Sequence, residues 1–147
     1  MTDPAPTHWI GVAAANHVAK AVAGGFAMFA HGKHSAAKRV KAGDWVAYYS
    51  PRDGMNEGAE RRQFTAIGQA TDGATTEEYM APGVTGWQRP MRWLDAGPAD
   101  VYPLLDKFAF VSDRRHWGMY FRKSLFSVDL ADFTLIAEAM GVQDQIR

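Results

Sequence analysis

The chain contains no cysteine, which excludes disulfides, thiolate metal sites and a cysteine nucleophile. No apolar run approaches the roughly 18 residues of a membrane-spanning helix, and the start "MTDPAPTH" lacks the basic and then apolar pattern of a signal peptide. Lys and Arg together number 16, as do Asp and Glu, so the formal net charge is zero. This balance argues against a protein that coats nucleic acid non-specifically. We therefore expect a cytoplasmic protein whose contacts with any polyanion are local.

Motifs for a metal, a nucleotide phosphate or a catalytic serine are also missing. The sequence holds no GxGxxG, no HExxH and no paired aspartates, and its five histidines are scattered. His31 and His34 lie three residues apart without a third ligand, so we predict no metal and no cofactor. Ser50, His31 and Asp44 form the one nucleophile, base and acid set that can be assembled, and no GxSxG context supports it. We expect no enzymatic activity, with a hydrolase that uses Ser50 as the residual alternative.

Length and composition predict a single domain. A chain of 147 residues with 47% hydrophobic and 12% aromatic content can bury one substantial core. Residues 1–147 are therefore expected to form one unit, with residues 1–7 as a flexible N-terminus. Short strands alternating with short helices favour a curled α+β sheet over a doubly wound one. The strands are predicted at 8–14, 45–50, 63–71, 87–95 and 118–128, the fourth at a sheet edge because it contains Pro90.

Capping and turn residues predict the helices and loops. Asn16 is expected to cap a short helix that the glycine pair 24–25 ends, and Ser35 to cap a single turn. Segments 51–62 and 71–86 are rich in Gly, Pro and polar residues, so we predict a solvated hairpin loop and a long surface connection. A C-terminal helix is expected after its cap Asp129, with one face formed by Leu130, Phe133, Ile136, Ala137 and Met140.

Six short motifs follow one another across nearly the whole chain. They are "HWIGVAAANHV", "GGFAMFAHGK", "VKAGDWVAYYSP", "FTAIGQ", "WGxxFR" and "DFTLIAEAM". This succession resembles the EVE domain family. The resemblance implies a PUA-like fold, related to the YTH and ASCH modules, with a small curled β-barrel of about five or six strands, flanking short helices and a C-terminal helix. It also implies a reader, with a pocket at the barrel mouth for a single, often modified, flipped nucleobase. Ala14 departs from the family pattern, in which a serine is common.

The predicted ligand pocket combines aromatic faces for stacking, polar groups for a base edge and positive charge for phosphates. Tyr49 is the best aromatic candidate, because it lies at a strand end just before Ser50 and Pro51. Ser50 and Asn16 are the polar candidates, since a hydroxyl and an amide both donate and accept, although Asn16 alternatively serves only as a helix cap. The predicted base or ligand site comprises Asn16, His17, Phe29, His31, Gly32, Lys33, Tyr49, Ser50, Pro51, Trp117, Phe121 and Arg122.

Basic residues fall into two groups, at 33–41 and 114–123, while several acids lie in the terminal helix and tail. This separation allows one basic face on a chain of zero net charge, and the alternative for each lysine is simple solvation of a turn. Arg122 is the first choice for the site, because an arginine beside Trp and Phe stacks as well as pairs with phosphate. Weaker phosphate contacts are predicted for Lys38, Arg39, Arg92 and Arg114.

These features predict a binding module for DNA or RNA that carries a modified base, without membrane association. The alternative is a non-catalytic protein that binds a free small molecule, such as a nucleoside or another aromatic or anionic metabolite. Because a chain of zero net charge neutralises few phosphates, its affinity for nucleic acid alone is expected to be modest. A partner protein or a second copy would then strengthen the binding.

Overall fold

The computed structural model describes residues 5–54, 57–81 and 84–146 and contains one strongly curled, half-barrel sheet. The order along the sheet is β2-β6-β4-β3-β1-β8, with β5 paired to β6 and β7 paired to β4. The pair β1 and β3 is parallel, and the other recorded pairs are antiparallel. The strands are β1 His8–Val12, β2 Phe26–Ala27, β3 Trp45–Gly54, β4 Glu57–Ala70, β5 Thr76–Ala81, β6 Val84–Trp93, β7 Ala99–Asp100 and β8 Leu125–Val128.

Short helices flank the sheet, as the predicted α+β class requires. The α-helices are α1 Ala15–Gly24, α2 His34–Arg39, α3 Tyr102–Leu105 and α4 Leu130–Ala139, and the 3₁₀ helices are Ala30–Gly32, Arg114–Arg122 and Gln143–Gln145.

The predicted caps of the first two helices are wrong. Helix α1 begins after Ala14, whose carbonyl accepts hydrogen bonds from the backbone N–H groups of His17 and Val18, so Asn16 already lies exposed inside the first turn. Helix α2 likewise begins after Lys33 rather than after Ser35. Both helices start without a side-chain cap, which leaves the Asn16 amide free of that structural task.

Both faces of the sheet are buried, and the period-two alternation of the strands divides the core between them. On β3, Trp45 and Tyr49 point into a cluster that includes α4, while Val46 and Tyr48 point into a second cluster beneath α1 and α2. The consecutive tyrosines are therefore both buried, on opposite faces. Helix α4 contributes Phe133, Ile136 and Ala137 to the first cluster, as its sequence pattern predicts, whereas its Leu130 is half exposed.

Two segments predicted as loops are largely strand. Strand β3 continues past Ser50 to Gly54, and β4 already begins at Glu57. Beyond the core this ribbon carries cross-strand charge pairs, Arg61 with Asp53 and Arg52 with Glu60. Segment 71–86 likewise contains β5 and the start of β6. Hydrogen bonds between the strand backbones hold a solvated ribbon together without an apolar face. The side chains of such a ribbon can therefore be as polar as those of a loop.

The predicted last strand is too long at its start. Residues 118–122 belong to the 3₁₀ helix, and only β8, at the end of segment 118–128, is extended. The Tyr120 hydroxyl accepts a hydrogen bond from the Asp113 N–H at 2.8 Å, which ties the two ends of this helix together. The helical turn places Trp117 and Phe121 four residues apart on the side that faces β3.

Candidate functional site

An aromatic cleft lies where β3 and β4 meet the 3₁₀ helix Arg114–Arg122. Its volume of about 390 Å³ is within the range of small-molecule sites, roughly 300 to 1,000 Å³. Hereafter "the aromatic cleft" denotes the space lined by Tyr49, Pro51, Arg62, Arg115, Trp117, Gly118 and Phe121.

Three aromatic rings form the apolar wall of this cleft. The Tyr49 and Phe121 ring centroids are 4.3 Å apart, and both side chains are buried. Trp117 meets Phe121 edge to face, with centroids 5.9 Å apart and planes at 75°. Since Trp117 is only partly buried, part of its indole remains accessible to a ligand. The buried pair therefore forms the base of the cleft, and Trp117 supplies the accessible ring.

Hydrogen bonds hold the 3₁₀ helix in place before any ligand binds. The Asp113 carboxylate accepts from the His116 backbone N–H at 3.4 Å and contacts the His116 ring at 2.9 Å, and this contact lowers the pKa of Asp113. Tyr102 packs edge to face against Trp117, with centroids 5.5 Å apart. The buried Asp132 of α4 accepts the backbone N–H groups of residues 109 and 110 at 2.8 and 3.2 Å, which fixes the approach to this helix. Such preorganisation lowers the entropic cost of binding.

A β-bulge presents Arg62 at the rim of the cleft. The register of β3 and β4 shifts on both sides of Arg52, and Arg62 has a left-handed φ of 51°. Its guanidinium donates to the Tyr102 hydroxyl and, at 3.3 Å, to the Glu60 carboxylate. The bond to Tyr102 is the largest cause that raises the pKa of Arg62. A non-glycine residue is strained in this conformation, and such strain is concentrated at functional sites.

Arg115 gives the cleft a second cation. Its side chain is exposed and makes no hydrogen bond or ion pair with any residue that the structure describes. Arg62 is held in a fixed orientation and Arg115 is free to reorient. Together they suit a ligand with an anionic or acceptor-rich edge.

The Tyr49 hydroxyl stays protonated at neutral pH. Burial raises the pKa of Tyr49 to about 12, and the nearby positive charge of Arg62 opposes the rise. A phenol in this state can still donate one hydrogen bond and accept another. Tyr49 therefore contributes both a ring face and a neutral polar group to the cleft.

Four of the predicted site residues come together in the aromatic cleft: Tyr49, Pro51, Trp117 and Phe121. Sequence reasoning missed Arg62 because it lies in a charged run that was interpreted as a loop. No local signal identifies it, because the register of β3 and β4 shifts at the bulge and interrupts the side-chain alternation of β4 there.

Ser50 lies on the opposite face of β3 from Tyr49. It is fully buried, and its hydroxyl shares a hydrogen bond of 2.7 Å with the Thr65 hydroxyl. The Asp44 carboxylate accepts from the backbone N–H groups of Thr7 and Lys41 and from the Trp9 indole. Ser50 and Asp44 therefore have structural partners of their own, which do not include His31.

The remaining predicted ligand residues do not line the aromatic cleft. Phe29 is buried against Tyr48 in the second core cluster, with ring centroids 6.0 Å apart. Gly32 is buried with a φ of 82°, and a Cβ on it would approach the Gly86 Cα to 2.7 Å. Arg122 lines a separate groove together with Arg39. The exposed members of this group are Asn16, His17, His31, Lys33 and Arg122.

The predicted phosphate contacts have different surroundings. Arg114 pairs with Asp106 at 3.2 Å, and Arg92 donates to the Gln69 side chain at 3.2 Å. The Arg39 guanidinium lies 5.0 Å above the Trp9 ring, and Lys38 is exposed. Among the described residues no cluster of three or more His, Cys, Asp or Glu could hold a metal ion. Nor is any helix in that part of the chain long and apolar enough to cross a membrane.

Comparison with known proteins places the chain in a family. A family model described as "EVE domain" matches residues 7–139. The UPF0310 protein YdcG of Bacillus subtilis is 39% identical over 92% of each chain, and the UPF0310 protein msl3206 of Mesorhizobium japonicum is 40% identical over 91% of each.

Two solved structures share the fold. Protein Atu2648 from Agrobacterium tumefaciens gives a TM-score of 0.61 at 12% identity, covering 96% of this chain and 97% of its own. Rpa0253 from Rhodopseudomonas palustris gives 0.54 at 19% identity, covering 92% and 93%. The predicted curled α+β architecture with a C-terminal helix is thereby confirmed. The sequence motifs of the chain agree with the match to the family model, and the chain belongs to the EVE domain family.

Proposed function

We propose that this binding module accepts one flipped, modified nucleobase of a DNA or RNA strand in the aromatic cleft. The observation that supports the proposal is the meeting of the accessible ring of Trp117 with the cations Arg62 and Arg115 in one cleft. A flipped base requires a ring to stack on and polar groups for its edge, and its strand requires positive charge nearby. The cleft offers all three within about 390 Å³.

Energetics set the scale of this recognition. Stacking of one base on an aromatic side chain contributes about 1 to 3 kcal/mol, so Trp117 is expected to supply a large share of the affinity. A single buried methyl group contributes about 0.8 kcal/mol, roughly a fourfold preference. Selectivity for a methylated base therefore depends on close contact with the ring wall of Tyr49 and Phe121.

A free nucleoside or another aromatic, anionic metabolite is the second candidate ligand. The orientation of Arg62 by Tyr102 and Glu60 favours it, because a fixed guanidinium suits bidentate binding of a carboxylate or phosphate. Comparison of a free modified nucleoside with the same base inside an oligonucleotide separates the two candidates. Equal affinity for both would favour the metabolite.

The test is a binding assay with single-stranded 12-mers, in DNA and RNA, that carry one central 5-methylcytosine, N6-methyladenine or unmodified base. Trp117→Ala should weaken binding of the preferred oligonucleotide by about 5- to 150-fold, which corresponds to the loss of one stacking contact. Met119→Ala is the matched control, because Met119 is an exposed side chain of the same helix outside the cleft. If the preferred oligonucleotide binds Trp117→Ala and Met119→Ala equally well, the proposal is wrong.

A further inference from the structure

A second cavity, larger in volume than the aromatic cleft, lies beside β8. Its volume is about 670 Å³. Hereafter "the basic groove" denotes the space lined by Arg39, Arg122, Lys123, Ser124, Leu125, Phe126 and Ser127.

The basic groove carries positive charge without neutralising partners. Arg122 and Lys123 are exposed and form no ion pair within the described ranges. The Arg39 guanidinium lies 5.0 Å above the Trp9 ring, and the Trp9 indole is itself fixed by a 3.0 Å hydrogen bond to Asp44. No residue that lines the groove carries a carboxylate. Three cations therefore line one solvent-accessible groove, and one of them lies over an aromatic ring.

The backbone of β8 adds hydrogen-bond donors to this charge. Strand β8 is the last in the sheet order, and β1 is its only recorded partner among the described strands. An edge strand presents unpaired N–H groups on its outer side. The hydroxyls of Ser124 and Ser127 line the same groove. Guanidinium, ammonium, hydroxyl and backbone N–H are the groups that proteins use to bind phosphate oxygens.

The basic groove adjoins the aromatic cleft through two phenylalanines. Phe121 lines the cleft and the next residue, Arg122, lines the groove. The Phe121 ring also packs edge to face against Phe126 of the groove, with centroids 5.9 Å apart. Residues that line the two cavities are thus adjacent in sequence and in ring contact, which places the basic groove beside the aromatic cleft.

We propose that the basic groove binds the sugar-phosphate backbone of a single nucleic-acid strand next to the base held in the aromatic cleft. The placement of that base rests on the function proposed above, whereas binding of the backbone does not depend on which base is present. Three cations correspond to about three phosphates, which makes the groove a local polyanion site on a chain of zero net charge.

An acidic peptide that extends the sheet at β8 is the competing occupant. Strand addition relies on main-chain hydrogen bonds along an edge and on pockets for alternate side chains. Strand β8 has only four residues and carries none of the three cations. Arg39 ends α2, Arg122 ends the 3₁₀ helix Arg114–Arg122, and Lys123 follows that helix. A flexible backbone with regularly spaced charges fits this spread of cations better than a short added strand.

The experiment measures binding of an unmodified single-stranded 12-mer as a function of salt concentration. The groove variant Arg39→Gln/Arg122→Gln/Lys123→Gln is compared with Lys20→Gln/Lys41→Gln/Lys107→Gln, which loses the same charge at exposed positions outside both cavities. The slope of log K against log salt is about −0.7 per neutralised phosphate for single strands. The slope of the groove variant should therefore be smaller in magnitude than that of wild type by about 2. The slope of the control variant should stay close to that of wild type.

Two further measurements separate this proposal from the proposed function. The groove variant should bind a free modified nucleoside as wild type does, and Trp117→Ala should keep the wild-type salt slope. Thermal unfolding confirms that each variant folds. Equal slopes for the groove and control variants would overturn the proposal. It would also be overturned if the three cations were needed to bind a ten-residue poly-glutamate peptide but not to bind the 12-mer.

Discussion

Adjacent residues of the same type perform different tasks in this protein, as Tyr48 and Tyr49 illustrate. The Tyr48 hydroxyl donates to the Met28 carbonyl at 2.6 Å and accepts from the Met28 N–H at 3.0 Å, so its polar group is fully committed to the fold. Tyr49 instead lines the aromatic cleft, close enough to Arg62 for that charge to affect its pKa. The strand alternation that separates them also separates scaffold from candidate site.

Because the Tyr49 hydroxyl is buried, we expect its ionisation to lower the stability of the protein at alkaline pH. Burial raises its pKa from about 10 in the unfolded chain to about 12 in the folded one, so between these values the folded state binds more protons. The contribution of Tyr49 to stability is therefore complete below pH 10 and is lost as the pH rises to 12. Tyr49→Phe should show a shallower fall in the free energy of unfolding over this interval, measured by urea denaturation.

Wild type and Tyr49→Phe both retain the other buried tyrosine, Tyr48, whose pKa is also raised by burial. Tyr49→Phe should therefore remove only part of the alkaline fall. Parallel curves for the two proteins between pH 10 and 12 would show that the Tyr49 phenol is not buried as described.

At the scale of elements, the 3₁₀ helix Ala30–Gly32 depends on close backbone contact with β6. Gly32 has a φ of 82°, and a Cβ at this position would lie 2.7 Å from the Gly86 Cα and 2.9 Å from the Met28 side chain. Gly43 has a similar φ of 90°, but a Cβ there would meet nothing within 4 Å. The two glycines thus share the left-handed conformation and differ in the space around them.

Gly32→Ala should lower the free energy of unfolding more than Gly43→Ala does. The left-handed conformation costs each variant about 1 to 2 kcal/mol, and overpacking against Gly86 costs the first about 1 to 3 kcal/mol more. Chemical denaturation of both variants measures the difference. Equal losses would mean that the 3₁₀ helix and β6 do not pack this closely.

Elements with an apolar face were predictable, and solvated elements were not. The alternation around Trp45 and the helical spacing of Phe133 and Ile136 indicate β3 and α4 directly. The outer part of the β3 and β4 ribbon has charged residues where a core strand has apolar ones, so its sequence could not be distinguished from a loop. The 3₁₀ helix Arg114–Arg122 was missed in part because its residues after Trp117 alternate well enough to suggest a strand.

The candidate site was predictable only where family motifs cover it. Tyr49, Trp117 and Phe121 lie in motifs that resemble the EVE domain family, and all three line the aromatic cleft. Arg62 lies outside those motifs, and its orientation depends on a bulge and on Tyr102, forty residues away. Long-range contacts of this kind cannot be derived from local sequence patterns.

At the scale of the whole molecule, charge is distributed rather than accumulated. The formal net charge is zero, and four arginines of the described residues form ion pairs, among them Arg61 with Asp53 and Arg114 with Asp106. The basic groove is a place where three cations meet without a lining carboxylate. The two proposals together therefore predict binding of a short stretch of polyanion, with modest affinity that falls with rising salt.

The most direct test of this account is a crystal structure of the protein with the 12-mer that binds most tightly. Electron density should show one base out of its stack in the aromatic cleft, against Trp117 and within hydrogen-bond distance of Arg62 or the Tyr49 hydroxyl. Density for the adjoining phosphates is expected along Arg39, Arg122 and Lys123. A bound strand that leaves the aromatic cleft empty, with its bases stacked elsewhere on the surface, would contradict the account.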